Sequence, residues 1–225
     1  MLQRPSSCEG CPLNETSTPG FCPDNIPLTA KYLVIAEAPG SAEIAAAAPL
    51  VGKSGFVFHN WLLQSVLALK LAWERKELGL SNVLRCLPKE TNGRPYPSGA
   101  EKLIAEVKCR QYDLFPDTVH TIILAGEHSQ RLYFSAELER EDATDRSLGR
   151  SAKGVMGRIG RVYVNDGRRW SFAPHPAFIL RQPMLVSHGV EALKIAVGAV
   201  YAEPQTVPWQ EAVQELMMQC VEVIA

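Results

Sequence analysis

Two short runs, Tyr32-Leu33-Val34-Ile35-Ala36 and Thr121-Ile122-Ile123-Leu124-Ala125-Gly126, are apolar almost without interruption. A strand with one solvated face would alternate apolar and polar residues, so these read as strands buried on both faces, the pattern of a parallel sheet covered by helices. Each ends in a turn signal: Glu37-Ala38-Pro39-Gly40 after the first, Gly126-Glu127 after the second. Residues 54–69 then place Val57, Trp61, Leu62, Val66 and Leu69 at helical spacing. Residues 80–87 read as a further strand, 88–99 as a proline- and glycine-rich loop, 100–108 as a helix, and 127–134 as the opening of another. Val162-Tyr163-Val164 and Trp170-Ser171-Phe172-Ala173 flank Asn165-Asp166-Gly167, a hairpin signal. Strands alternating with helices predict an α/β fold, a single-domain three-layer α/β/α sandwich with a mainly parallel central sheet. Ligands then bind beyond the carboxyl ends of the strands, here residues 37–40, 82–86, 126–127 and Pro174-His175-Pro176.

The 225 residues suffice for one such domain. No apolar run approaches the roughly 18 residues of a membrane span, and the N-terminal residues lack the apolar core of a signal peptide. The expectation is a soluble, cytoplasmic protein with no membrane partner. Twenty-three basic residues against 24 acidic ones leave a net charge of -1, so a nucleic acid would have to be met by a local patch. Six cysteines in such a chain suggest metal or redox chemistry more than a disulfide framework. Cys8 and Cys11 form a C-x-x-C in a polar segment, a spacing that lets two thiolates converge on one zinc ion or iron-sulfur cluster. Cys86 and Cys109 are the natural completion, with reduced structural thiols as the alternative; Cys22 and Cys220 are left over. Residues 47–54, ending in Gly52-Lys53-Ser54, imitate a phosphate-binding loop. A true one leaves its strand directly, and here the strand ends near Glu37, so a nucleotide triphosphatase is disfavoured.

Four segments in order, Glu37-Ala38-Pro39-Gly40, Pro49-Leu50-Val51-Gly52-Lys53-Ser54-Gly55, Asn82-Val83-Leu84-Arg85-Cys86-Leu87-Pro88 and His175-Pro176-Ala177-Phe178-Ile179-Leu180-Arg181, together with the four cysteines, resemble the family 4, iron-sulfur uracil-DNA glycosylases. The resemblance runs from Cys8 to about Pro183. It implies a DNA repair enzyme that hydrolyses the N-glycosidic bond of uracil in single- or double-stranded DNA, with the base flipped into a pocket. It implies a [4Fe-4S] cluster on Cys8, Cys11, Cys86 and Cys109, structural in role. His175 becomes the donor that stabilises the leaving uracil anion. Asn82 becomes the amide that pairs with one edge of uracil, and Ala38, Pro39 and Gly40 the loop beneath the base. An aspartate that activates water elsewhere in the superfamily is replaced by Ala38, leaving Glu37 or Glu43 to orient water. Leu50 stands where the family carries a stacking aromatic, and Ile44 where it often carries an acid. A catalytically weak or inactive DNA-binding subunit of a replication or repair assembly, or a glycosylase for another modified base, is the alternative reading.

Between Arg146 and Trp170 seven basic residues meet one acid, and glycines recur, which predicts a DNA-contacting stretch; Arg158, Arg161, Arg168 and Arg169 are its candidates, with Arg181 beyond. The acidic residues 137–145 are expected to be an exposed loop pointing away from DNA. The same resemblance implies that a side chain after the histidine segment, Arg181, Gln182 or Met184, wedges into the vacated base stack. His59, His120, His128 and His188 are expected to be histidines satisfied by their neighbours rather than members of the site. The glycosylase-like domain is placed at residues 1–203. Residues 204–225 form an extension in which Trp209, Val213, Leu216, Met217, Cys220 and Ile224 repeat with helical spacing. That helix is expected to pack back on the domain or to meet a protein partner.

Overall fold

The computed structural model describes residues 6–16, 20–69, 74–87, 99–110, 113, 115–149 and 154–198. The expected extension at 204–225, Cys220, Arg150, Lys153 and most of the loop at 88–99 lie outside the described residues. Five strands form one sheet in the order β2-β1-β3-β5-β4, with β1 at Tyr32–Ala36, β2 at Leu78–Asn82, β3 at Thr121–Ala125, β4 at Val162–Asn165 and β5 at Arg168–Ala173. Neighbours are parallel except β4, which pairs antiparallel with β5. This is the expected mainly parallel α/β/α sandwich. The β4–β5 turn falls on Asp166 and Gly167, both in the left-handed region at φ 49° and 72°, as a two-residue hairpin of this twist requires.

Although β1 is buried throughout, its residues divide by face. Tyr32, Val34 and Ala36 pack with Phe58, Trp61 and Leu62 of α3 (Lys53–Leu69) and Leu193 and Val197 of α7 (Val186–Gly198). Leu33 and Ile35 pack on the other side with Phe134 and Leu138 of α5 (Glu127–Ser147) and Ala105 and Cys109 of α4 (Gly99–Arg110). The α3–α7 contact is close because Gly189 has no side chain: a Cβ there would lie 2.5 Å from the Trp61 ring. Ser65 Oγ fastens the pair by donating to the carbonyls of Trp61 and Val190, at 2.7 and 2.9 Å.

Two expectations are corrected. The strand expected over 80–87 ends at Asn82; the chain then follows the end of β1, where the Val83 and Leu84 amides donate to the Ala36 and Glu37 carbonyls at 2.9 and 3.0 Å. The acidic residues 137–145 are not an exposed loop but the second half of α5, which bends at Phe134 and carries Asp142 and Asp145 inward. They turn inward because the basic stretch lies beneath them. Arg158 is wholly buried and paired with Asp142, and Arg161 pairs with Glu141, which also accepts from Tyr163. Opposite charges close in sequence have neutralised each other rather than lining separate surfaces.

Candidate active site

The carboxyl ends of β1, β2 and β5 open on one cavity of about 270 Å3. Its walls include Glu37, Ala38, Pro39 and Gly40 after β1, Leu50 before α3, Asn82 at the end of β2 and His175 after β5, together with Glu43. Every residue expected to hold or act on a base is therefore in one place. Ala36, Ser54, Leu87 and Ala177 complete the wall; the last three belong to the segments that carry the resemblance, with no role in the pocket expected of them. Small alanines after strands and a leucine after a cysteine carry no signal of their own.

His175 is the N-cap of α6 (Pro176–Arg181), its Nδ1 accepting from the Ala177 amide at 3.2 Å. Pro176 occupies the first helical position, where a missing N–H costs nothing. An Nδ1 that accepts leaves the proton on Nε2, so the neutral ring has one N–H free to donate. Burial holds the imidazole down to about 4, helped by the positive Arg181 and by His128. Near neutral pH the site thus holds an uncharged donor.

Glu37 reaches over Gly126, the N-cap of α5, and accepts from the His128 backbone N–H. Gly126 has φ 103°, which only glycine adopts without strain; a Cβ there would also lie 2.5 Å from Glu37 Oε1 and 3.0 Å from His175 Cβ. The glycine lets these two side chains approach. Burial pushes the Glu37 carboxyl up to about 7, against the opposing pull of the His128 amide and Lys102. Half ionised at neutral pH, it is suited to hold or take a proton.

Glu43 has a different role. It is buried in α2 (Ser41–Ala46), with Oε2 accepting from the Gly40 amide and Oε1 from the Gly52 amide, both at 3.0 Å. The carboxylate thus pins the loop after β1 to the loop that carries Leu50. Of the two carboxylates expected to orient water, this one orients backbone. Leu50 itself sits in the left-handed region at φ 55°, an uncommon conformation for a leucine. Its carbonyl lies where a side chain at Gly55 would be and accepts from the His59 ring. His59, expected to be satisfied by its neighbours, props this loop.

Asn82 is buried, and its side-chain amide makes no hydrogen bond among the described residues. Both its donor and its acceptor are therefore available to a ligand in the cavity.

Below the cavity, Cys11, Cys86 and Cys109 share one apolar cluster, and the Cys11 amide bonds the Cys8 carbonyl at 3.0 Å. Burial pushes the Cys109 thiol up to about 11, with Cys86 and Cys11 near enough to add to the shift. Among the described residues no group of three or more His, Cys, Asp or Glu is drawn in to hold a metal ion. Cys8, Cys11, Cys86 and Cys109 are all buried free thiols, soft donors of the kind an iron-sulfur cluster takes and a hard cation does not. Arg85, next to Cys86, binds the region together: it grips Asp24 through Nε and Nη2, donates to the Cys109 carbonyl at 2.6 Å and reaches Asp113 at 3.0 Å. Cys22 is buried alongside, its amide donating to the Arg85 carbonyl.

Of the arginines expected at DNA, Arg158 is corrected: buried and paired, it cannot reach a phosphate without breaking its ion pair. Arg161 is engaged by Glu141, and Arg168 donates to the carbonyls of Val119 and Phe115. Arg169 and Arg181 are exposed, as are Gln182 and Met184 at the end of α6. No helix among the described residues is long and apolar enough to cross a membrane. The family description "Uracil DNA glycosylase superfamily" matches residues 23–195. No curated protein matches the chain.

Proposed function

Since the chain belongs to the Uracil DNA glycosylase superfamily, we propose that it hydrolyses the N-glycosidic bond of uracil in DNA, with the base turned out of the stack into the cavity beneath β1, β2 and β5. The observation that carries this reading is the single cavity shared by Glu37, Leu50, Asn82 and His175, brought from four separate segments. The Asn82 amide accepts from uracil N3–H and donates to O4, a pattern that cytosine does not offer. Leu50 lies against a face of the base, and Ala38, Pro39 and Gly40 form the loop beneath it. Water adds to C1′ as the C1′–N1 bond breaks, the bonding pair leaving on uracil as an anion. Neutral His175 donates Nε2–H to the uracil O2 where that charge gathers. Glu37 accepts a proton from the water, and a free sugar hydroxyl remains.

Cys8, Cys11, Cys86 and Cys109 would hold a [4Fe-4S] cluster, which supplies a crosslink and no step of the hydrolysis. Arg169 and Arg181, the two exposed arginines of the expected set, are proposed as the phosphate contacts. The test is incubation with a uracil-containing oligonucleotide followed by cleavage of abasic sites. Strand scission that depends on uracil supports the proposal; binding without abasic product would leave a DNA-binding subunit instead.

A further inference from the structure

Beside the base cavity lies a second one, of about 490 Å3. It shares Glu37, His175 and Ala177 with the first and continues to Met156, Phe178 and Arg181. Its walls are held in place. The 3-10 turn Val155–Arg158, which contributes Met156, is anchored by the buried ion pair of Arg158 with Asp142 on α5. Phe178 packs partly against the α3–α7 core, and its amide donates to the His175 carbonyl at 2.9 Å. The positive charge that the sequence seemed to offer to DNA is thus spent internally, and what it holds up is an apolar wall.

An aromatic ring and a thioether offer polarisable surface for a flat ring, and Arg181 adds a cation. The sugar of a base lodged in the first cavity must sit near Glu37 and His175, where the two cavities meet. The next nucleotide of the same strand is then one backbone link away. We propose that the second cavity seats this neighbouring nucleotide, its base against Phe178 and Met156 and its phosphate at Arg181. The proposal rests on the reading of the first cavity as the base pocket. In a duplex the neighbour is stacked and paired, and withdrawing it costs additional unstacking. In a single strand it is free, so the enzyme favours uracil in single-stranded DNA.

The test uses short single-stranded oligonucleotides with one deoxyuridine, in which the base on its 5′ or its 3′ side is replaced by a base-free tetrahydrofuran. Base–aromatic stacking predicts a fall in kcat/KM of at least about fivefold when the seated neighbour is removed, on one side only and through KM. Met156→Ala and Phe178→Ala each shrink that difference; Met156→Ala lies outside the main core and remains informative if Phe178→Ala folds poorly. Uracil release at equal kcat/KM from all three oligonucleotides overturns the subsite and leaves the uracil reading intact. Absence of release from every oligonucleotide overturns the uracil reading, and affinity for the same three, measured by fluorescence anisotropy, then decides the subsite: equal affinities overturn it.

Discussion

At the scale of single residues, the chemistry divides between a neutral donor and a half-ionised carboxyl. Because burial holds His175 down to about 4, its donor is present from pH 5 upward, and no loss of rate is expected as pH rises through the usual imidazole range. His175→Ala should lower kcat by about 10²–10³, the cost of one lost donor to a developing oxyanion. Glu37 sets the pH dependence. Its rate contribution rises as the carboxyl ionises near 7, and Glu37→Gln should both lower the rate and flatten that limb of the pH–rate profile. Stability runs the other way. A carboxyl whose folded value is raised from 4.5 to about 7 stabilises the fold below 4.5, and that contribution is lost as pH climbs through 7. Glu37→Gln should therefore melt higher than the parent at pH 8 and level with it at pH 4, by thermal denaturation. His175, Asn82 and Glu37 were legible through the segments that carry the family resemblance, and the fold brings all three to the sheet's carboxyl edge. For His59 and His128 the sequence points to satisfaction by neighbours but not to which ones: one acts through its ring on a distant carbonyl, the other through its backbone N–H, and neither contact leaves a local pattern.

At the scale of elements, the loops around the cavity are set by backbone contacts more than by side chains facing a ligand. Gly55 in α3 exists because the Leu50 carbonyl occupies the space of its side chain. Gly55→Ala must push that loop outward, and the expected result is a rise in KM with a smaller change in kcat, readable by steady-state kinetics. Glu43→Gln keeps one acceptor oxygen and loses the other, freeing either Gly40 or Gly52; it should raise KM while leaving the pH–rate profile in place, which separates it from Glu37→Gln. The strands and helices were readable from apolar runs and periodicity, since β1 and β3 are buried on both faces. The basic stretch was not readable. Charge density alone predicted a DNA surface, whereas the acids of α5 lie one helix away and reach it only after α5 folds over β4. Arg158→Met, which leaves the buried Asp142 only the more distant Arg131 at 3.9 Å, should cost up to about 3–5 kcal/mol in urea denaturation. It should leave the salt dependence of DNA binding unchanged, whereas Arg181→Ala should reduce the slope of log K against log salt by about 1.

At the scale of the molecule, residues 82–87 tie the cavity to the thiol site. Asn82 and Leu87 line the cavity, Cys86 lies among the thiols, and Arg85 clasps Asp24 and the Cys109 carbonyl. Cys109→Ser tests the proposed cluster: on that reading it abolishes iron content by elemental analysis and lowers the melting temperature, with KM for a uracil oligonucleotide rising because Asn82 and Leu87 lose their support. The segment entering from the cysteines has one further contact. Asn25 pairs antiparallel with Leu80, so the outer edge of β2, otherwise a row of unpaired amides and carbonyls, is capped by the chain's own beginning. Detaching that segment, by truncation before residue 26 or, if the thiols hold the proposed cluster, by stripping it, uncovers a strand edge ready to recruit another molecule. On the proposed cluster reading, iron starvation during expression would then appear first as material in inclusion bodies, before any deficit in turnover could be measured.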